Sequence, residues 1–368
     1  MFRRLLTAPL ISVFALTTLT LAEDSAKSPQ PTLTPQNSGT TQLLISVSPV
    51  NDRVVWASGT GGTYVVTTDG GETWKAAVVP GAESLQFRDV NGVSDKVAYL
   101  MSIGNNTTDF RIYKTVDGGK NWTIEFTNQT VNAFYDCFGF WTPRRGIAHS
   151  DSVNGVFPEI RTTDGKTWNS IAANMPPALP GEASFAASGT CVTTQGGRNA
   201  WVATGATTTA RILATRDGGD TWNAYDTPLV SSPSAGAISV AFRDPYHGVV
   251  GGGDLASNRS ADMAASNDGG RTWTLTNQPP VQGSIFCLAY VQGRRGDDEG
   301  EDDGHNHTVV ITAETAPDFS SGSAAWTPDE GKTWFALPSV SGYWAVAFAN
   351  PKAGWFVGNN GQILKISF

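Results

Sequence analysis

The sequence predicts an all-β chain: a seven-bladed β-propeller of four-stranded antiparallel blades, closed three-plus-one by its N-terminal strand. Three observations predict it. One tryptophan-ended turn motif recurs six times along the chain. Short alternating runs, the pattern of strands rather than helices, flank each copy. The composition suits tight hairpins: 40 of 368 residues are Gly and 12 are Trp, and charged residues are 16%, against roughly 25% in an average soluble chain. That balance excludes a coiled coil and an acidic disordered chain.

The motif is Ser/Thr-x-Asp-x-Gly-x-Thr-Trp. Its copies are TTDGGETW (Thr67–Trp74), TVDGGKNW (Thr115–Trp122), TTDGKTW (Thr162–Trp168), TRDGGDTW (Thr215–Trp222), SNDGGRTW (Ser266–Trp273) and TPDEGKTW (Thr327–Trp334). The third is one residue short, and the second has Asn121 in place of Thr. Internal repeats about fifty residues long are the signature of a propeller. Within each copy the Asp can accept backbone N–H groups across the turn, and Gly supplies the left-handed backbone. The Thr hydroxyl can tie the two arms. The Trp leaves the turn to fill the space between neighbouring blades. Asp69, Asp117, Asp164, Asp217, Asp268 and Asp329 are therefore read as structural, because six scattered copies of one turn cannot converge on one site.

The motif resembles the Asp-box, or BNR, repeat, and the resemblance extends over nearly the whole chain after its N-terminal segment. It implies that each box is the hairpin between the third and fourth strands of a blade. Before the first box come LLISVSP, VVWASG and TYVVTT; before the fifth come AISVAFRD, HGVVGGG and ADMAAS. After the sixth box the chain supplies three more strands, Tyr343–Asn350, Gly354–Val357 and Gln362–Ile366, and no box. Residues Pro31–Gly39 are free to complete that seventh blade. Such closure removes exposed sheet edges.

Residues 1–22 read as an export signal, with Arg3 and Arg4 before an uncharged stretch and Thr20-Leu21-Ala22 as the cleavage site. The alternative is an uncleaved anchor. Residues 23–30 read as a linker and 31–368 as one propeller, and no other run approaches membrane-spanning length. The expected location is periplasmic or extracellular, and a monomer is expected. A net charge of −8 without clustered Lys/Arg argues against nucleic acid as a partner. No phosphate-binding, HExxH or GxSxG motif is present, so neither a cofactor nor a metal is expected.

In a propeller, the boxes share one face with the loops between first and second strands. The opposite face carries the second-to-third strand loops and the blade-to-blade crossings, and the resemblance places ligands there, around the channel mouth. The candidates on that face are Tyr135, Asp136, His149, Asp151, Glu182, Asp254, Tyr343 and Trp344, with Glu314 and Asp318 in blade six. Of these, Asp136, Glu182 and Asp254 are the candidate acids or bases.

The chain also resembles the photosystem II stability/assembly-factor branch of these propellers, which implies a scaffold recognising a protein or glycan partner. Its acidic balance departs from that branch's basic patch. The alternative is a carbohydrate-active hydrolase or lyase. It is not a sialidase, because the only Arg between residues 23 and 68 is Arg53, in Asp-Arg-Val where that family has Arg-Ile-Pro.

Two features remain. The insertion 293–307 is rich in Asp and Glu and ends in His305 and His307; it reads as a solvated loop, the alternative being a site for a divalent metal or a basic partner. Cys137, Cys191 and Cys287 are an odd number for an exported chain, so at least one is unpaired within it. Aligning blades on Phe140, Tyr290 and Phe348 places Cys137 and Cys287 at one register of the innermost strand, and Cys191 joins them if Thr194 is the counterpart. Equivalent side chains point the same way round a ring, which makes a Cys137–Cys191 bridge awkward.

Overall fold

The computed structural model describes residues 30–258, 261–292 and 305–368. The expected signal, most of the linker and most of the acidic insertion lie outside the described residues. Pro31–Phe368 forms one compact unit. The described residues build seven four-stranded antiparallel sheets. In blades one to six the four strands follow one another in sequence from the innermost outward. The innermost strands are Leu44–Pro49, Gln86–Gly92, Tyr135–Thr142, Val192–Gln195, Ala235–Phe242, Ser284–Tyr290 and Tyr343–Asn350. Each abuts the next, and the seventh returns to the first. The seventh sheet takes its outermost strand, Thr32–Asn37, from the N-terminal end; it pairs antiparallel with Gln362–Ser367, Thr32 opposite Ser367. The ring is closed three-plus-one, as the sequence predicts.

Each box is a self-capped turn. In the first, Thr67 Oγ donates to Asp69 Oδ1 (2.7 Å), and Asp69 accepts the backbone N–H and the hydroxyl of Thr73 (2.9 and 2.6 Å). The fourth and fifth repeat this set, and the second substitutes the Asn121 amide for the hydroxyl. The shortened third box keeps two N–H bonds to Asp164, from Lys166 and Thr167. The turn then docks on its own blade. The N–H groups of Gly70, Gly118, Gly218 and Gly269 donate to carbonyls in the turn between first and second strands, which places both turns on one face. The box tryptophans pack back on the preceding blade. Trp122 meets Trp56 and Tyr64 of blade one edge-on, and Trp74 donates to Gln36 of the closing strand (3.1 Å).

Six innermost strands carry a β-bulge at one equivalent position, which skips Ile45, Arg88, Asp136, Ile238, Phe286 and Trp344. A bulge re-aims a side chain, and here it turns one residue per blade toward the channel axis. The residue after the bulge stitches its blade to the next. Asp89 accepts the Phe138 N–H (2.9 Å), Ser239 Oγ that of Leu288 (3.0 Å) and Cys287 Sγ that of Val346 (3.4 Å). Cys137 and Cys191 do share this register: Cys137 pairs with His149, and Cys191 O accepts the Ala203 N–H.

The expectation drawn from that register is nevertheless corrected, because Cys137 and Cys191 form a disulfide, with Cα atoms 5.9 Å apart, and Cys287 stays free and buried. Cys137 points onward round the ring as expected; Cys191 does not. Blade four has no bulge before this position, and its strand begins only at Val192, behind Gly189 at φ +76°. Cys191 turns back, and the onward N–H of Val240 is taken by the Thr190 carbonyl instead (3.0 Å).

Candidate functional site

The bulge residues close one mouth of the channel. Ile45, Ile238, Phe286 and Trp344 pack with Ala187 into a cluster in which none exceeds 8% exposure. The Arg88 guanidinium lies over the Trp344 ring at 5.6 Å. The crossing into blade four threads between them as a plug, Ser184–Thr190. Arg88 donates to the Ala186 carbonyl (3.0 Å), Ser188 to the Phe286 carbonyl (2.7 Å), and Thr190 bonds Ser239 (2.7 Å). Gly189 crosses so close to blade two that an added Cβ would stand 2.4 Å from Asp89 Oδ1. The sequence places ligands at this mouth; the structure fills it.

The predicted site residues lie toward this closed end, and most are bonded to neighbours within the fold. Asp136 is 1% exposed. Its carboxyl neighbours that of Asp151. Burial, then the charge of Asp151, hold Asp136 well above the usual carboxylate range; burial also raises Asp151. Asp151 Oδ1 accepts the Ser184 N–H (2.9 Å) and so anchors the plug. Burial lowers Arg88 to about 10, with Asp136 opposing that shift. Tyr135 donates to the Pro158 carbonyl (2.7 Å). His149 Nδ1 lies 2.7 Å from Glu159 Oε2, both side chains being fully buried. Glu182 accepts from Thr204 (2.6 Å), from Arg211 Nε (2.9 Å) and Nη2, and from the Leu179 N–H (2.8 Å). Asp254 accepts from Ser234 (2.7 Å) and the Ala256 N–H (2.9 Å). Trp344 donates to the Phe319 carbonyl (3.1 Å), and Tyr343 lies against Phe356. Asp136 and Asp151 are brought together; Glu182 and Asp254 sit in separate bonds of blades four and five.

Glu314 is the exception. It is 1% exposed, and neither carboxyl oxygen has a partner among the described residues. Burial, then the nearby Asp318, push it up to about 8. No group of three His, Cys, Asp or Glu among the described residues has the geometry to hold a metal ion.

The open end of the channel is on the box face. A cavity of about 570 Å³ is lined by the C-terminal halves of all seven innermost strands, with Gly189 and Thr190 of the plug among its lining. In six blades the residue two past the stitching position sets its width: Ser48, Asn91, Thr193, Ala241, Ala289 and Ala347 line it, and all are small or short. Two residues further on stand Trp141, Gln195 and Arg243, grouped on blades three to five. Trp141 donates to the Asn199 carbonyl (2.6 Å), and Arg145 lies over its ring. Arg243 is held by Asp244 and Glu330. These residues were missed because the resemblance directs attention to the other face. The alignment on Phe140, Tyr290 and Phe348 carries the signal, since counting from it finds the small residues.

Fold and boxes together define a seven-bladed Asp-box β-propeller. The BNR/Asp-box repeat model matches residues 65–76, the third strand and turn of blade one. No curated protein matches the chain. Among solved structures, "YCF48 bound to D1 peptide" is similar at 16% identity and TM-score 0.59, over 96% of this chain and 100% of that one. YCF48 from Cyanidioschyzon merolae matches at 16% identity and TM-score 0.61, over 91% and 98%. The GH74 xyloglucanase of Xanthomonas campestris matches at 13% and 0.57, over 90% of this chain and 53% of that one. These likenesses are of fold.

Proposed function

We propose that the protein is an exported binding module, or scaffold, that recognises a protein or glycan partner through the open mouth of its channel. The observation that carries this reading is the blind cavity itself, a concave site of ligand size built by all seven blades and floored by the plug. The similar structures supply a precedent: one YCF48 is described as bound to a D1 peptide. The hydrolase or lyase reading has less support. It needs two carboxyls facing one substrate space, whereas among the described residues the cavity is lined by one, Asp89, which accepts from Ser46 and from the N–H groups of Val90 and Phe138. Export is part of the proposal, and the secreted chain should begin at Glu23.

The test compares immobilised wild type with Ala347→Trp, which fills the cavity, and Val131→Ser, which alters an exposed residue (68%) in the crossing between blades two and three, on the far face. A partner from the envelope fraction retained by wild type and Val131→Ser but lost on Ala347→Trp supports the reading. Equal retention on all three refutes it.

A further inference from the structure

We propose that the box-face cavity takes a neutral oligosaccharide; this deepens the reading above and rests on it. Its charge is the first argument. Among the described residues, Asp89 and Arg243 are the only formally charged ones lining the cavity. Asp89 is committed to the bonds just described, and Arg243 donates to Glu330 (2.7 Å) and Asp244 (2.8 Å). An ionic ligand would lose its hydration without gaining a free counter-charge, which is costly. What remains is uncharged: the hydroxyls of Ser48 and Thr193, the amides of Asn91 and Gln195, and the half-buried indole of Trp141. The Gln195 Oε1 is buried and has no partner among the described residues. Hydroxyls and amides bond sugar hydroxyls, and an aromatic ring packs against the apolar face of a sugar.

The competing occupant is an extended peptide adding a strand to an innermost edge. Such addition needs free main-chain donors. Those of Phe138, Cys191, Val240, Leu288 and Val346 are already taken by the neighbouring blade. That removes one donor from each of five strands and makes the channel a poorer strand template, while its side chains stay available. A volume of about 570 Å³ holds a short oligosaccharide and excludes a folded domain.

The test is calorimetric titration of the full mature chain with cellohexaose, xylohexaose, maltohexaose and mannohexaose, beside charged hexagalacturonate. At least one neutral sugar should bind. A Thr193→Val/Gln195→Ala double variant should bind it about tenfold more weakly, the loss of one or two hydrogen bonds, and Ala347→Trp should not bind it. If Ala347→Trp loses its near-ultraviolet dichroism, Ala289→Phe fills the same space from blade six. Binding of hexagalacturonate alone, binding unchanged in folded filled variants, or no neutral sugar bound at millimolar concentration would each overturn the proposal. If no sugar binds but a protein partner is lost on Ala347→Trp, the glycan proposal falls and the recognition site stands. If nothing depends on the cavity, both fall.

Discussion

An Asp in a box does with one carboxylate what a helix cap does with a side-chain oxygen: it satisfies the donors of a turn that no strand can reach. Burial pushes Asp217 up, but the bonds from Thr221 and Thr215 outweigh it and bring the group down to about 2. Its folded pKa lies below its unfolded one, so its stabilising contribution is present above the ordinary 3.8 and is lost only as pH falls through about 2. Replacing it by Ala removes several hydrogen bonds at once. Asp217→Ala should cost about 1–2 kcal/mol in denaturant unfolding; a loss near zero would mean the turn is held by its Gly and Trp alone. The sixth box departs from the pattern for a reason visible at this scale. Glu330 occupies the left-handed position (φ +56°) that Gly holds in the others, and its carboxylate receives Arg243 and Tyr290. Glu314 has the opposite sign to the boxes. Its folded pKa, about 8, lies above the ordinary 4.5, so the folded chain keeps a proton that the unfolded chain releases. That contribution is complete below the unfolded value and is lost as pH rises through about 8. Asp262, raised to about 6 by burial, adds a part that is lost earlier. Thermal midpoints should therefore decline from pH 5 to pH 8.5, and Glu314→Gln should flatten the decline. An unchanged slope in that variant would remove Glu314 as its source.

The innermost strand is the element that decides the site, and one bulge per strand is what makes it do so. The bulge aims Arg88, Asp136 and Trp344 at the axis and leaves the next residue to stitch blade to blade. Blade four lacks it: Cys191 turns back into a disulfide with Cys137, and the Thr190 carbonyl takes over the stitch to Val240 of blade five. Cys137 and Cys191 stand 54 residues apart, and closing a loop of that length should contribute about 4 kcal/mol by restricting the unfolded chain. Cys137→Ser/Cys191→Ser should lose about that much in guanidinium unfolding, and denatured, unreduced wild type should titrate one thiol, Cys287. Three titrated thiols would show that the bridge does not form in solution. The bridge was legible in part: the shared register came from counting back from Phe140 and Thr194. The direction of Cys191 did not, because it follows from a missing bulge ahead of Val192, and a bulge has no fixed residue signature in these strands.

At the scale of the whole molecule, closure and plugging matter most. The closing strand Thr32–Asn37 covers the edge of Gln362–Ser367 and receives Trp74 of blade one. Deleting residues 31–39 should expose that edge and its apolar neighbours, giving a lower thermal midpoint and concentration-dependent association in size-exclusion chromatography. A monomer of unchanged midpoint would mean that the ring holds without it.

Blade number, strand order, box face and closure all follow from the sequence, because each is written locally: a turn needs its own Asp and Gly, and a strand its own alternation. The face on which the channel opens is not local. It is decided where the Ser184–Thr190 crossing meets bulge residues of five other blades, more than forty residues away in sequence on either side. Only the folded ring brings those side chains within van der Waals contact, and so only the tertiary structure could show that the end carrying the candidate carboxylates Asp136 and Asp151 is sealed while the end lined by Ala241, Ala289 and Ala347 stays open.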